Sequence, residues 1–222
     1  MSAFRPAAFG GSKAFIQKGA GGGGSGGGDP LYEDVMLLLH GDGANNGVVF
    51  SDNSSFARVP TVVGSTKTVT AQSVFGGSSI YFDGAGDELN YGHSGDWGLG
   101  VEDFCVEFRW MPDGAVDNTL AIVCNDTQPS GSDYSWGIRH LGATNSGKIQ
   151  FFAYQGVNLI WNIVTTSGWT TAVFKAVRCI RTLNDVKVLI DGVVDGSAAS
   201  VFQPPSLTSG MKLHLGIQPP NL

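Results

Sequence analysis

Charge is scarce in this sequence. Only 14% of its 222 residues are Asp, Glu, Lys or Arg, and the balance is acidic, with a formal net charge of −6. A nucleic-acid-binding face needs clustered Lys or Arg to neutralise phosphates, so nucleic acid is not an expected partner. Cysteine is scarcer still. Cys105, Cys124 and Cys179 lie far apart with no CxxC pair. An odd count at wide spacing makes neither a disulfide framework nor a zinc site. The expectation is three reduced thiols packed as small hydrophobes. No run of eighteen apolar residues occurs and the N-terminus has no apolar h-region, so neither a membrane span nor a signal peptide is expected. Helical periodicity over three turns is absent. His40, His93, His140 and His214 stand at no metal-ligand spacing, and no nucleophile elbow is seen.

Glycine is plentiful, at 33 residues. Ten residues of glycine-rich chain, GAGGGGSGGG at 19–28, read as a flexible linker reaching roughly 5–6 Å × √n. Before it, residues 1–18 form an arm of opposite charge to the body. The first twenty residues carry Arg5, Lys13 and Lys18 and no acid. Phe4, Phe9 and Phe15 are spaced along the arm as apolar anchors suited to pockets on a partner. Phe4, Arg5, Phe9, Lys13, Phe15 and Lys18 are therefore the candidate anchoring residues.

The body, 29–222, alternates short strands with Gly, Asp and Asn turns. Val35–Leu39 is a continuous apolar run that predicts a strand buried on both faces. Phe104, Val106, Phe108 and Trp110 alternate with Cys105, Glu107 and Arg109, placing the first four on one face of a strand. Asp191-Gly192 signals a two-residue hairpin turn. Regular strands with such turns predict an all-β, two-sheet antiparallel sandwich. At about 190 residues the body suits one such domain.

Four segments, taken in order, carry a resemblance. LLLHGDG, FGGSSIYFDGAGDEL, FCVEFRWMP and VKVLIDGVVDG resemble the recurrent segments of the laminin-G-like, concanavalin A-like lectin/glucanase superfamily. The likeness covers residues 33–217. It implies a jelly-roll sandwich, and the variant with a Gly-rich tract before LLLHGDG resembles structural modules of tailed bacteriophages. The family's usual last strand, which lies beside the first, has no counterpart here. The chain ends Gln218-Pro219-Pro220-Asn221-Leu222. The expectation is an open edge beside Val35–Leu39, covered by the arm around Ala14–Gln17 of the same or another subunit, since the prolines make a poor ladder strand.

The superfamily includes glucanases, so carboxylate spacing matters. A retaining glycosidase needs two carboxyls about 5–5.5 Å apart. Glu102 and Glu107 are five apart and point to opposite faces of a strand. Asp103 and Glu107 share a face but stand roughly 13 Å apart, with Cys105 between them. No catalytic residue is assigned, and the chain reads as a non-enzyme. Calcium is a possible ligand, since relatives hold it at a sandwich edge. Asp42, Asp52, Asn53, Asp83, Asp87, Asp126 and Asp133 supply oxygens, but turn geometry is the stronger reading for all of them. Trp136, Tyr154, Trp161 and Trp169 are candidates for stacking a sugar ring, against core burial as the alternative.

The resulting expectation is a virion structural protein. It would be a decoration protein displayed on the virion surface, made in the host cytoplasm and anchored by its arm. Its partners would be the major capsid protein or tail subunits, and copies of itself within the assembly. The alternative is a carbohydrate-binding module of a phage tail or fibre that recognises host-surface glycan.

Overall fold

The computed structural model describes residues 16–18, 32–99, 103–111, 119–125, 134–155, 158–169, 173–182, 185–199 and 211–216. Fourteen strands are formed among them. These are β1 (Ile16–Lys18), β2 (Thr61–Val63), β3 (Lys67–Val69), β4 (Ser79–Tyr81), β5 (Glu88–Tyr91), β6 (Phe104–Trp110) and β7 (Thr119–Asn125). The second half supplies β8 (Tyr134–His140), β9 (Lys148–Gln155), β10 (Asn158–Gly168), β11 (Lys175–Thr182), β12 (Asp185–Ile190), β13 (Val193–Ala199) and β14 (Lys212–Leu215). The only helical pieces described are three-residue 3-10 turns.

The strands make two antiparallel sheets. One has five strands in the order β1-β6-β11-β12-β13, and the other seven in the order β10-β9-β8-β7-β14-β5-β2. A small hairpin, β3-β4, stands beside them. The all-β sandwich expected from the sequence is the observed fold. Alternation decides which side chains meet between the sheets. In β6, Phe104, Val106, Phe108 and Trp110 are buried, while Cys105, Glu107 and Arg109 are half-buried on the other face. β11 sends Val177, Cys179 and Arg181 inward to meet them, and β12 sends Val186 and Val188. From the larger sheet come Leu89, Ile122, Trp136, Ile138, Ile149, Phe151, Trp161, Ile163 and Leu213. Asp191 and Gly192 both have positive φ, 50° and 84°, between the paired residues Ile190 and Val193. That is the twist a two-residue turn needs to match its strands.

The first apolar run departs from expectation. Val35–Leu39 is buried but is no regular strand; Leu39 makes an isolated antiparallel bridge to Asp52. The Leu38 amide donates to Asp52 Oδ1 at 2.9 Å, and its carbonyl accepts from the Asn53 amide at 2.8 Å. The loop at Asp52 and Asn53 satisfies Leu38; residues 14–15 of the arm and the tail 218–222, also expected as cover for this edge, lie outside the described residues. The arm does add a strand, at a different place: Ile16, Gln17 and Lys18 pair with Val106, Cys105 and Phe104 at the edge of the five-stranded sheet of the same chain. Its partner strand β6 has a free edge there because β11 occupies only the other side. Phe4, Arg5, Phe9, Lys13 and Phe15 lie outside the described residues, as do Glu102, Asp126, Asp133 and the tail 218–222.

All three cysteines are free thiols. Burial pushes the Cys105 thiol up to about 12; Arg178 pulls it back and Glu107 adds to the rise. Complete burial holds Cys179 well above its ordinary value. Thiolate is the reactive form, so these two are inert at neutral pH.

Candidate functional site

Of the four aromatic residues expected to stack a sugar, the structure removes three from solvent. Trp136 and Trp161 are fully buried between the sheets, and Trp169 packs edge-on against Trp110 with ring centroids 6.4 Å apart. Their positions follow from strand parity. Trp136 faces Cys124 on one side and Ala153 on the other, two small inward residues that leave room for an indole. The Trp136 indole N–H donates to the Trp97 carbonyl at 2.7 Å. His140 joins this core. Its Nδ1 accepts from the Gly142 amide at 3.1 Å, so Nε2 carries the proton and donates to the Trp169 carbonyl at 2.9 Å.

Tyr154 is different. In β9 the inward set is Ile149, Phe151 and Ala153, so Gln150, Phe152 and Tyr154 point to the outer face of the seven-stranded sheet. Phe152 and Tyr154 meet edge to face at 6.0 Å. Across the sheet Phe152 is aligned with Asn162 of β10 and Gly137 of β8. A Cβ on Gly137 would come within 2.5 Å of the Phe152 ring, so only glycine lets that ring lie down against β8. The Arg139 guanidinium lies 5.3 Å from the same ring centroid.

Beside the ring runs a polar ladder. Arg139 Nε donates to Gln150 Oε1, and the Gln150 amide donates to Asn162 Oδ1 at 2.6 Å. Three adjacent strands thus present a guanidinium and two amides in line, above an aromatic pair. Farther along the same face, β14 and β5 contribute His214, Glu88 and Asn90. His214 Nδ1 donates to Glu88 Oε1 at 2.5 Å, and Asn90 stands 3.4 Å from the imidazole. Gln150, Phe152 and His214 face away from the core, yet their exposures are 9%, 5% and 8%. This outer face is therefore sheltered, with polar groups already oriented.

Amides and a guanidinium hydrogen-bond vicinal hydroxyls, and Tyr154, half-buried where Phe152 is almost fully buried, is the ring of the pair with surface left for the C–H side of a sugar. Phe152, Arg139, Gln150 and Asn162 were not among the sequence candidates. The signal that could have found them is the parity of IQFFAYQ, which sends one Phe inward and the next outward.

The other candidates fall elsewhere. Glu107 is held by Arg178 across the ladder, with Nε 2.8 Å from Oε2, while Asp103 is exposed. Of the carboxylates weighed for calcium, Asp52, Asp83 and Asp87 serve the backbone: Asp52 accepts from the Leu38, Ser54 and Arg58 amides, Asp83 from the Ala85 amide, and Asp87 from the Ser65 and Asp83 amides. Among the described residues no group of three or more His, Cys, Asp or Glu is placed to hold a metal ion.

No protein-family model matches the sequence, and no curated protein matches it. Solved structures do match. The binding domain of Paraclostridial Mosquitocidal Protein 1 superposes with a TM-score of 0.56 at 10% identity, over 82% of this chain and 47% of that one. The binding domain of botulinum neurotoxin serotype G gives 0.54 at 11%, over 75% and 41%. The binding domain of botulinum neurotoxin DC, solved in complex with SialylT, gives 0.54 at 12%, over 82% and 44%. The chain spans less than half the length of these structures, and what it shares with them is the two-sheet β-sandwich fold.

Proposed function

We propose that this chain is a non-catalytic, glycan-binding β-sandwich module, and that the outer face of the seven-stranded sheet binds the sugar. The observation that carries the reading is the Arg139–Gln150–Asn162 ladder beside Phe152 and Tyr154. The row holds a guanidinium and two amides oriented on one face, with Tyr154 the more exposed ring beside them. The likeness to a toxin binding domain solved with SialylT supports the same reading at the level of fold. Pairing of β1 with its own body supports a self-contained module.

The test is a glycan array probed with the full chain, followed by titration of the best binder. Arg139→Ala should weaken binding by about 10- to 100-fold, the loss of one charge-assisted hydrogen bond. Its melting temperature should fall by a few degrees, because Gln150 Oε1 loses its donor, so binding is measured well below the transition. Unchanged affinity in Arg139→Ala would place the sugar elsewhere.

A second reading is display of this module on a virion through its N-terminal segment. It rests on the basic, Phe-bearing sequence of residues 1–15 and on the resemblance to phage structural modules. Since residues 16–18 belong to the sheet, the informative deletion is 1–15. The shortened chain should fold and lose its place on particles; full occupancy after deletion would rule the anchor out.

A further inference from the structure

A second recess lies away from the ladder, between the Leu39–Asp52 bridge and β4. Its volume is about 270 Å³. Phe50 and Ile80, both buried, form its apolar floor, and His40, Asp42, Ser51 and Asn53 stand around it. We propose that this recess is a subsite for one neutral sugar ring. The inference rests on the glycan-binding reading above and adds the class of sugar and its place.

Three features point to that ligand. The first is size. The volume falls just below the roughly 300–1,000 Å³ of pockets for drug-sized ligands, so it takes a single ring and not a chain. The second is free hydrogen-bonding capacity. Among the described residues, the side chains of His40, Asp42, Ser51 and Asn53 engage no protein partner. Asp42, Ser51 and Asn53 are exposed and His40 is half-buried around the buried Phe50 and Ile80, a polar rim over carbon that suits a molecule with hydroxyls on its edge and C–H bonds on its face. The third is charge. Among the described residues Asp42 is the one carboxylate on the wall and no Lys or Arg stands there to offset it, so an acidic sugar is repelled while a neutral one is accepted.

The recess is also held in shape by its backbone. The Ser78 hydroxyl donates to the Gly41 carbonyl at 3.0 Å and accepts from the Gly43 amide at 2.9 Å, fixing both sides of Asp42. Tyr32 donates to the Asn53 carbonyl at 2.6 Å, and the Asn53 amide donates to Leu38. Gly76, at φ +64°, leaves the space the Asp42 carboxylate occupies; a Cβ there would sit 1.9 Å from Oδ1. A site whose walls are already fixed loses less entropy when it binds.

The experiment uses the full chain, with methyl glycosides of glucose, galactose, mannose and N-acetylglucosamine as probes, and N-acetylneuraminic acid as the acidic comparison. Binding is followed by protein-observed NMR. At least one neutral glycoside should bind and shift the amides of residues 40–42 and 51–53. Asp42→Ala should weaken it tenfold or more, and Ser51→Trp, which fills the recess, should abolish it. Neither substitution removes a hydrogen bond within the protein, so both variants should fold. If both variants bind as the parent does, the recess is not the subsite, although the module still binds sugar. If only the acidic sugar binds, the neutral preference is wrong. If neither the probes nor a glycan array yields any binder for the parent chain, the glycan reading itself fails and the subsite falls with it.

Discussion

Trp136→Ala is expected to lower the free energy of unfolding by about 3–5 kcal/mol, the range for removing a large aromatic from a core. That is a large part of the roughly 5–15 kcal/mol that holds a typical domain together. The indole has no exposure and fills the gap between Cys124 and Ala153, two side chains too small to close over the space it would leave. The substitution also leaves the Trp97 carbonyl without its donor. Trp136→Phe keeps most of the volume but loses the N–H, so its cost should be a fraction of the alanine value. Urea denaturation measures both. The midpoint should fall while the slope stays constant, because the surface exposed on unfolding hardly changes. A Trp136→Ala protein with parental stability and lost sugar binding would make the indole a stacking surface and overturn its place in the core.

That contrast shows what the sequence could and could not carry. β6 was legible residue by residue, since strict alternation of large apolar and polar side chains over seven positions admits one arrangement on a two-faced sheet. The Asp191-Gly192 turn was legible for the same local reason. The aromatic candidates were not. A tryptophan in a strand looks the same in sequence whether it points in or out, and parity decides only once a neighbouring strand is known to share the face. β9 illustrates it: Phe151 and Phe152 are adjacent and chemically identical, but one lies in the core and the other on the outer ladder. Arg181 is a sharper case. Its position in β11 sends a cation inward, where the guanidinium lies 5.8 Å from the Trp161 ring centroid. Composition would have put it outside.

The apolar run Val35–Leu39 failed for a different reason. Burial on both faces was read correctly, but burial does not specify who supplies the backbone partners. Here a carboxylate supplies the acceptor for the Leu38 amide. Such contacts join residues far apart in sequence through one polar side chain, and no periodicity records them. The arm strand β1 has the same character, because pairing of three residues with a distant edge follows from which edge is open in the finished sheet.

Asp52 is that carboxylate, and Asp52→Ala should be the most damaging polar substitution in the domain. Its side chain is 8% exposed. Oδ1 accepts from the Leu38 and Ser54 amides, each at 2.9 Å. Oδ2 accepts from the Ser54 hydroxyl at 2.8 Å and the Arg58 amide at 2.9 Å. Alanine strands two buried amides, at roughly 1–3 kcal/mol each, so the expected loss is about 2–6 kcal/mol. Asp52→Asn should fall between parent and alanine. Its carbonyl oxygen can keep the Leu38 and Ser54 bonds, but its amide nitrogen faces the Arg58 donor and cannot accept. Two measurements bear on this. Chemical denaturation gives the size of the loss, and amide hydrogen exchange gives its place: the Leu38 amide should lose protection first, while amides in β6 and β11 keep theirs until global unfolding. A Leu38 amide that stays protected in Asp52→Ala would mean that another strand holds this segment. Calcium offers a separate check on the same carboxylate. If calcium raised the midpoint of the parent but not of Asp52→Ala, the side chain would be serving a metal, and its four protein donors would not account for its burial.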